Sequence, residues 1–306
     1  MKKPYSGPYV IRSISELHRL FALPQPDHPL ISVIDFESLS YQHSDIWNHF
    51  TNDFYCIVLK KGSNGNFKYG LKDYDFDEGM MTFTKPGQIF SVTSIKNNPV
   101  KGYMLVFKAE LIRPYSLGKN IDQYGFFSYS IAEALHLSEK ENIVISSLLK
   151  QLQQELKNNI DHYSQDVVVS HLDLLLSYSN RFYNRQFLTR KSVNNDIVTR
   201  LEQILKDYFN NEQALTQGLP TVHFLAGELH LSPDYMTDLL RNTIGQNTQQ
   251  YIHEHLIEKA KKLLTASNLT VTEIAYQLGF EYPQSFSKLF KKTTKQTPLE
   301  FRKSFN

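Results

Sequence analysis

The chain has a single cysteine, Cys56, in 306 residues. One thiol forms no intrachain disulfide and no cysteine-based zinc site, so this fold rests on neither. No stretch is long and apolar enough to span a bilayer. Lys2 and Lys3 are followed by mixed polar sequence instead of the apolar core of a signal peptide. With these signals missing, a cytoplasmic protein with no membrane partner is expected. Net charge is also scarce, +2 overall, so any attraction to nucleic acid must be local. Cys56 lies in Phe54-Tyr55-Cys56-Ile57-Val58-Leu59, which reads as a buried strand and not as the setting of a reactive thiol. The length exceeds a usual single domain, so two are expected.

What the chain does have is one pattern written twice in its last third. Phe224, Leu225, Ala226 and Leu229 lead through Leu231, Ser232 and Pro233 into Met236, Leu239 and Leu240; Ile274, Ala275 and Leu278 lead through Gly279, Phe280 and Pro283 into Phe286, Leu289 and Phe290. The offset is 49 residues in the first helices and 50 from the prolines onward, which puts one extra residue in the second turn. Ser232 supplies a capping hydroxyl, and proline is tolerated only in the first turn of a helix, so a new helix starts at Pro233 and again at Pro283. Thr270 with Glu273, and Thr297 with Glu300, form capping boxes. Ile252, Leu256, Ala260, Leu263 and Leu264 recur at helical spacing and predict a connecting helix between the copies. Each copy reads as a helix-turn-helix unit.

The run Ile274-Ala275-Tyr276-Gln277-Leu278-Gly279-Phe280, with Phe286-Ser287-Lys288-Leu289-Phe290-Lys291-Lys292 and Thr297-Pro298-Leu299-Glu300-Phe301-Arg302 after it, resembles the DNA-binding domain of AraC/XylS transcription regulators. The resemblance covers about residues 198–305, a long and specific match. It implies two recognition helices entering adjacent major grooves of double-stranded DNA. The first would expose Asp234, Thr237, Asp238, Arg241 and Asn242, and the second Gln284, Ser285, Ser287, Lys288, Lys291 and Lys292. Gln284 suits adenine; Arg241 or Lys288 suits guanine or a phosphate. Ordinary solvated surface is the competing role for each.

Four positions depart from the family pattern. Asp238 stands where a basic residue is common and repels phosphate unless it accepts from a cytosine amino group or bonds a neighbouring side chain, so the first helix is expected to read sequence weakly. His255 replaces an arginine of the connecting helix, which weakens an ion pair or makes it pH-dependent. Tyr282 replaces a capping aspartate, and Lys295 a glycine expected in a left-handed position. From Asn210 to Asn306 ten basic residues face nine acidic ones, but from Phe286 onward Lys288, Lys291, Lys292, Lys295, Arg302 and Lys303 are opposed by Glu300 alone. That local excess favours phosphate contact, and the modest total points to a homodimer.

The first half reads as β-structure. Residues 31–36, 54–59, 67–70, 80–84, 89–92 and 103–107 are short runs rich in β-branched and aromatic residues, separated by turn clusters such as Lys85-Pro86-Gly87-Gln88. Many short strands at this spacing suggest a small barrel or sandwich, and the family resemblance implies a cupin-like barrel that senses a small-molecule effector. The two histidine motifs that hold a metal in cupin enzymes are absent, since His43 and His49 are too far apart and Ile89-Phe90-Ser91-Val92 stands where a histidine would. No cofactor, no metal and no catalytic residue is therefore expected. His43, Trp47, Tyr55 and Phe90 are the leading candidates for effector contact, with Tyr41 and Tyr69 behind them; barrel core is the alternative for each.

The whole is an α+β chain: a sensor barrel over residues 1–130, a helical connector over 131–187, a flexible linker over 188–197, and a DNA-binding domain over 198–306. In the connector, Ser138 and Glu141 form a capping box ahead of the stripe Ile145, Leu148, Leu149, Leu152 and Leu156. Such stripes usually pack inside one chain, but the resemblance implies a dimer seam here. The expected function is an effector-responsive transcription regulator, not an enzyme, meeting RNA polymerase if it activates. The alternatives are a cupin-type enzyme with a DNA-binding accessory, and a regulator controlled by a protein partner.

Overall fold

A computed structural model describes residues 7–39, 45–61, 67–69, 72–74, 79–90, 101–159 and 161–305. The chain forms two compact units, residues 1–186 and 187–306. The first is mixed α/β and the second helical, so the α+β class holds.

In the first unit the strands are β1 (Tyr9–Ile11), β2 (Ile31–Asp35), β3 (Phe50–Asn52), β4 (Tyr55–Lys61), β5 (Phe67–Tyr69), β6 (Lys72–Tyr74), β7 (Met80–Thr84), β8 (Ile89–Phe90), β9 (Lys101–Phe107) and β10 (Leu135–His136). A five-stranded sheet runs β10-β7-β4-β9-β2, a three-stranded sheet β1-β3-β8, and β5 pairs with β6. Among the described residues these sheets do not close into one barrel. The pair β3–β8 continues into the pair β4–β7 across a corner where Gly87 N–H donates to the Asn52 carbonyl at 2.9 Å. Alternation decides the faces. Ile34, Cys56 and Val106 share a cluster with Ile11 and with Ile14, Leu17 and Phe21 on or beside α1 (Ile14–Leu20).

The opposite face of the large sheet needs its own cover, and sequence-local helices supply it. After two short helices, α2 (Ala109–Ile112) and α3 (Ser116–Asn120), come α4 (Glu139–Glu155) and α5 (Ser164–Thr189). The predicted capping box at Ser138 and Glu141 starts α4, and Ile145, Leu148, Leu149 and Leu152 are buried. Because α4 packs on β2 and β9, this stripe is committed inside the chain and is not an open dimer seam. Helix α5 is tied to the sheet by polar groups: Gln186 accepts from His136 N–H at 2.8 Å and donates to the Ala134 carbonyl at 3.2 Å. Arg185 holds Glu141 by two hydrogen bonds and donates to the His136 carbonyl. These satisfy the free edge of β10 where no further strand is paired to it.

The second unit begins with the end of α5 and contains α6 (Lys191–Asn210), α7 (Gln213–Gln217), α8 (Val222–Glu228), α9 (Pro233–Ile244), α10 (Thr248–Ala266), α11 (Val271–Gln277), α12 (Pro283–Thr294) and α13 (Pro298–Lys303). The expected flexible linker at 188–197 is helical, broken only at Arg190. Asn194 is buried there and its amide donates to the Phe187 carbonyl at 2.7 Å, satisfying the end of α5. Among the described residues no helix is long and apolar enough to cross a membrane.

Candidate nucleic-acid interface

Each copy of the repeat is built from its caps. Thr221 and Thr270 accept backbone N–H groups from Phe224 and Glu273 to start α8 and α11. Both helices then end in the same reversal. Leu231 N–H donates to the Ala226 carbonyl and His230 N–H to Gly227, while Phe280 N–H donates to Ala275 and Gly279 N–H to Tyr276. This is a Schellman closure, which requires a left-handed residue; His230 has φ 56° and Gly279 φ 90°. Glu281 is the extra residue of the second turn. Ser232 then accepts from Tyr235 N–H to open α9, with Pro233 in the first turn.

Helix α12 opens less well. Tyr282 is the residue before α12 and makes no side-chain cap bond. We expect Tyr282→Asp to raise the stability of the protein by about 1 kcal/mol, the usual worth of a good N-cap with its charge at the positive helix end. Denaturant melts of the two proteins check this; no gain would mean that another group already serves those N–H donors. The cap at the other end behaves as the sequence implies, with Lys295 left-handed at φ 64° and its N–H on the Lys291 carbonyl.

The apolar side of both helices is packed. Tyr235, Met236, Leu239 and Leu240 are buried on α9, as are Phe286 and Phe290 on α12, where the ring chain Phe280, Phe286, Phe290 and Phe301 steps at 5.5–5.7 Å. Leu289 is only half-buried. The faces left over differ. On α12, Gln284, Ser285, Lys288, Lys291 and Lys292 are all exposed, and Ser287 is half-buried with its hydroxyl on the Pro283 carbonyl at 3.1 Å. On α9, Asp234 and Arg241 are exposed, but Thr237 is engaged: its hydroxyl lies 2.9 Å from the Pro233 carbonyl and 3.0 Å from the hydroxyl of buried Thr248. Asp238 bonds a neighbouring side chain, accepting from Arg241 Nη1 at 3.2 Å, and Asn242 donates to the Asp238 carbonyl.

Two members of the basic run have structural work. Arg302 donates to the carbonyls of Leu264 and Leu269, clamping the chain between α10 and α11, and Lys295 reaches the Lys292 carbonyl at 3.3 Å. Sequence reasoning also misses two exposed rings, Tyr276 and Tyr282, the latter directly before α12. The signal for Tyr282 was present in the sequence, since a ring at a capping position has no helix core to enter.

On the connecting helix, burial holds His255 below the ordinary histidine range against the opposing pull of Glu202, Glu254 and Glu258. Burial, helped by the Lys292 charge, does the same to His253. A histidine depressed in the folded state takes up a proton on unfolding, so its stabilising effect is complete above the unfolded value near ~6.5 and is lost as pH falls through the folded one. The denaturation midpoint should therefore drop on going from about pH 7.5 to about pH 5.5, and drop less in His255→Gln. An equal drop in both would remove His255 from the explanation.

Of the effector candidates, Trp47 and Phe90 both meet Phe50, while Tyr55 lies apart from them. Trp47 is 5% exposed and stacked on Phe21 at 4.9 Å, with Phe50 edge-on at 5.2 Å, so it belongs to the core cluster. Tyr55 lies on the other face of the large sheet, stacked on Phe107 at 5.0 Å. Phe90 is half-buried on β8 beside Phe50. Tyr69 is in β5, and His43 and Tyr41 lie outside the described residues. Cys56 is buried, which pushes its thiol up to about 12, so no thiolate forms at neutral pH.

Residues 225–304 match a family model described as a helix-turn-helix domain, and residues 33–171 match one described as an AraC-like ligand binding domain. The chain is 24% identical over 190 residues to the uncharacterized HTH-type transcriptional regulator YijO of Escherichia coli K12, spanning 62% of this chain and 63% of that protein, just under two thirds of its length. It is 23% identical over 274 residues to YfiF of Bacillus subtilis 168, a protein described in the same terms, covering 87% of this chain and 79% of that one. Among solved structures, the C-terminal domain of the response regulator yesN from Fusobacterium nucleatum is 30% identical with TM-score 0.31, over 35% of this chain and 98% of that one.

Proposed function

The chain belongs to the AraC/XylS family of transcription regulators, and from that premise we propose that it binds double-stranded DNA sequence-specifically through α9 and α12, under control of an effector held by the N-terminal unit. The observation that carries the reading is the repeated helix-turn-helix with one helix of each copy left polar on its outer face. Gln284 and Ser285 begin α12, where a recognition helix meets base edges, and Lys288, Lys291 and Lys292 follow along it. Residues 198–306 are the reading domain in this proposal, and residues 1–130 the sensor. The continuation of the β3–β8 pair into the β4–β7 pair supports a cupin-like sensor.

Effector control and dimerisation belong to the same reading. The apolar stripe of α4 is occupied, so the dimer contact lies on another surface. The effector class follows from neither Trp47 nor Tyr55, and a small molecule, a protein partner or both remain as inputs. DNA from the protein's own upstream region gives the first test by mobility shift. The double variant Gln284→Ala, Lys288→Ala should lose sequence-specific binding by tenfold or more, since a good base contact is worth ~1–3 kcal/mol of discrimination. Unchanged specificity would take α12 out of the role of reader.

A further inference from the structure

The reading helices correspond residue for residue at an offset of 50, Pro233 with Pro283, Gly245 with Lys295 and Asn247 with Thr297. At that register α9 has Asp238 and Arg241 where α12 has Lys288 and Lys291. At these two positions α12 has only lysine, whereas α9 carries a carboxylate joined to a guanidinium. We propose that Asp238 is a positioning residue that holds Arg241 to read a guanine, so that α9 adds base discrimination of its own beside that of Gln284 on α12, whose lysines add phosphate anchoring. This rests on the DNA-reading function above.

Asp238 is the less exposed partner: its side chain is 27% exposed, against 59% for Arg241. A guanidinium carries five N–H donors in a planar fork, so one can hold the carboxylate while an edge remains for guanine O6 and N7. Fixing a long side chain before contact removes part of the ordering cost of binding. A lysine at the equivalent position of α12 has no fork and acts as a point charge, which suits phosphate. The carboxylate also disfavours phosphate near Arg241, weakening sequence-independent binding through α9. Two other polar groups of this face are committed elsewhere, Thr237 to Thr248 and Asn242 to the Asp238 carbonyl.

The test uses the full chain and selection from a randomised duplex library, followed by titration of the best site and its single-base variants. The wild type should show a guanine position that depends on Arg241. Arg241→Lys keeps the charge and should lose that preference by about tenfold or more, with non-specific affinity nearly unchanged. Asp238→Asn should lower the same preference by about three- to tenfold, the part lost with preorganisation, and should bind random duplex more tightly. Melting curves of both variants establish that they fold. A wild-type site whose guanine preference survives Arg241→Lys, or survives Asp238→Asn while all DNA binds more tightly, overturns the assignment and leaves DNA reading intact. A wild type that enriches no sequence overturns both.

Discussion

Replacing Gly279 by alanine is expected to destabilise the protein by roughly 2–5 kcal/mol, from two sources that act at one atom. The backbone is left-handed at φ 90°, which costs an L-residue with a side chain about 1–2 kcal/mol. A Cβ there would also lie 2.6 Å from the Gly218 carbonyl carbon, 2.7 Å from its oxygen and 3.0 Å from the Ala214 oxygen. All three are backbone atoms, so no rotamer change relieves them, and overpacking of this kind costs typically ~1–3 kcal/mol. Gly245 is the matched control: φ is 74° and nothing lies within 4 Å of its added Cβ, so Gly245→Ala pays the backbone cost alone. Thermal melts of the full chain should place Gly279→Ala well below Gly245→Ala. Equal midpoints would show that the loop at Gly218 yields freely.

The second large effect is electrostatic. Lys288, Lys291 and Lys292 are exposed on one helix with no acid of that helix opposing them. If each neutralises one phosphate, replacing all three by alanine should flatten the slope of log affinity against log salt by about 2.7. Between about 50 and 200 mM salt the wild type would then lose roughly 40-fold more affinity than the variant. Fluorescence anisotropy on a duplex of arbitrary sequence reads this directly, because the term is sequence-independent. An unchanged slope would place these lysines away from the backbone of the duplex.

Much of the C-terminal unit was legible because its signals are local. Caps, prolines and left-handed positions act within four residues, so Ser232, Thr270, Thr297 and Lys295 state their roles without reference to distant chain. The predicted strands at 80–84 and 103–107 fall within β7 and β9 for the same kind of reason, alternation of side chains on a pleat. Elsewhere polarity in the sequence said little about local structure. Residues 188–197 looked like a linker because they are polar, yet buried Asn194 closes the end of a helix there. Trp47 stands in a polar stretch of sequence, yet its ring is buried and stacked on Phe21.

The sequence by itself determined the duplicated helix-turn-helix, its asymmetry of charge and the α+β division, since each follows from short-range chemistry and period. Only the tertiary structure decided which polar groups remain to act. It committed the α4 stripe to the sheet, Thr237 to Thr248 and Arg302 to two carbonyls 33 and 38 residues away. It also joined Asp238 to Arg241, a pairing that spacing permits and only side-chain geometry selects. A charge in a sequence has no address. Burial and hydrogen-bond partners, which come from residues far along the chain, determine whether it serves the fold or remains for a ligand.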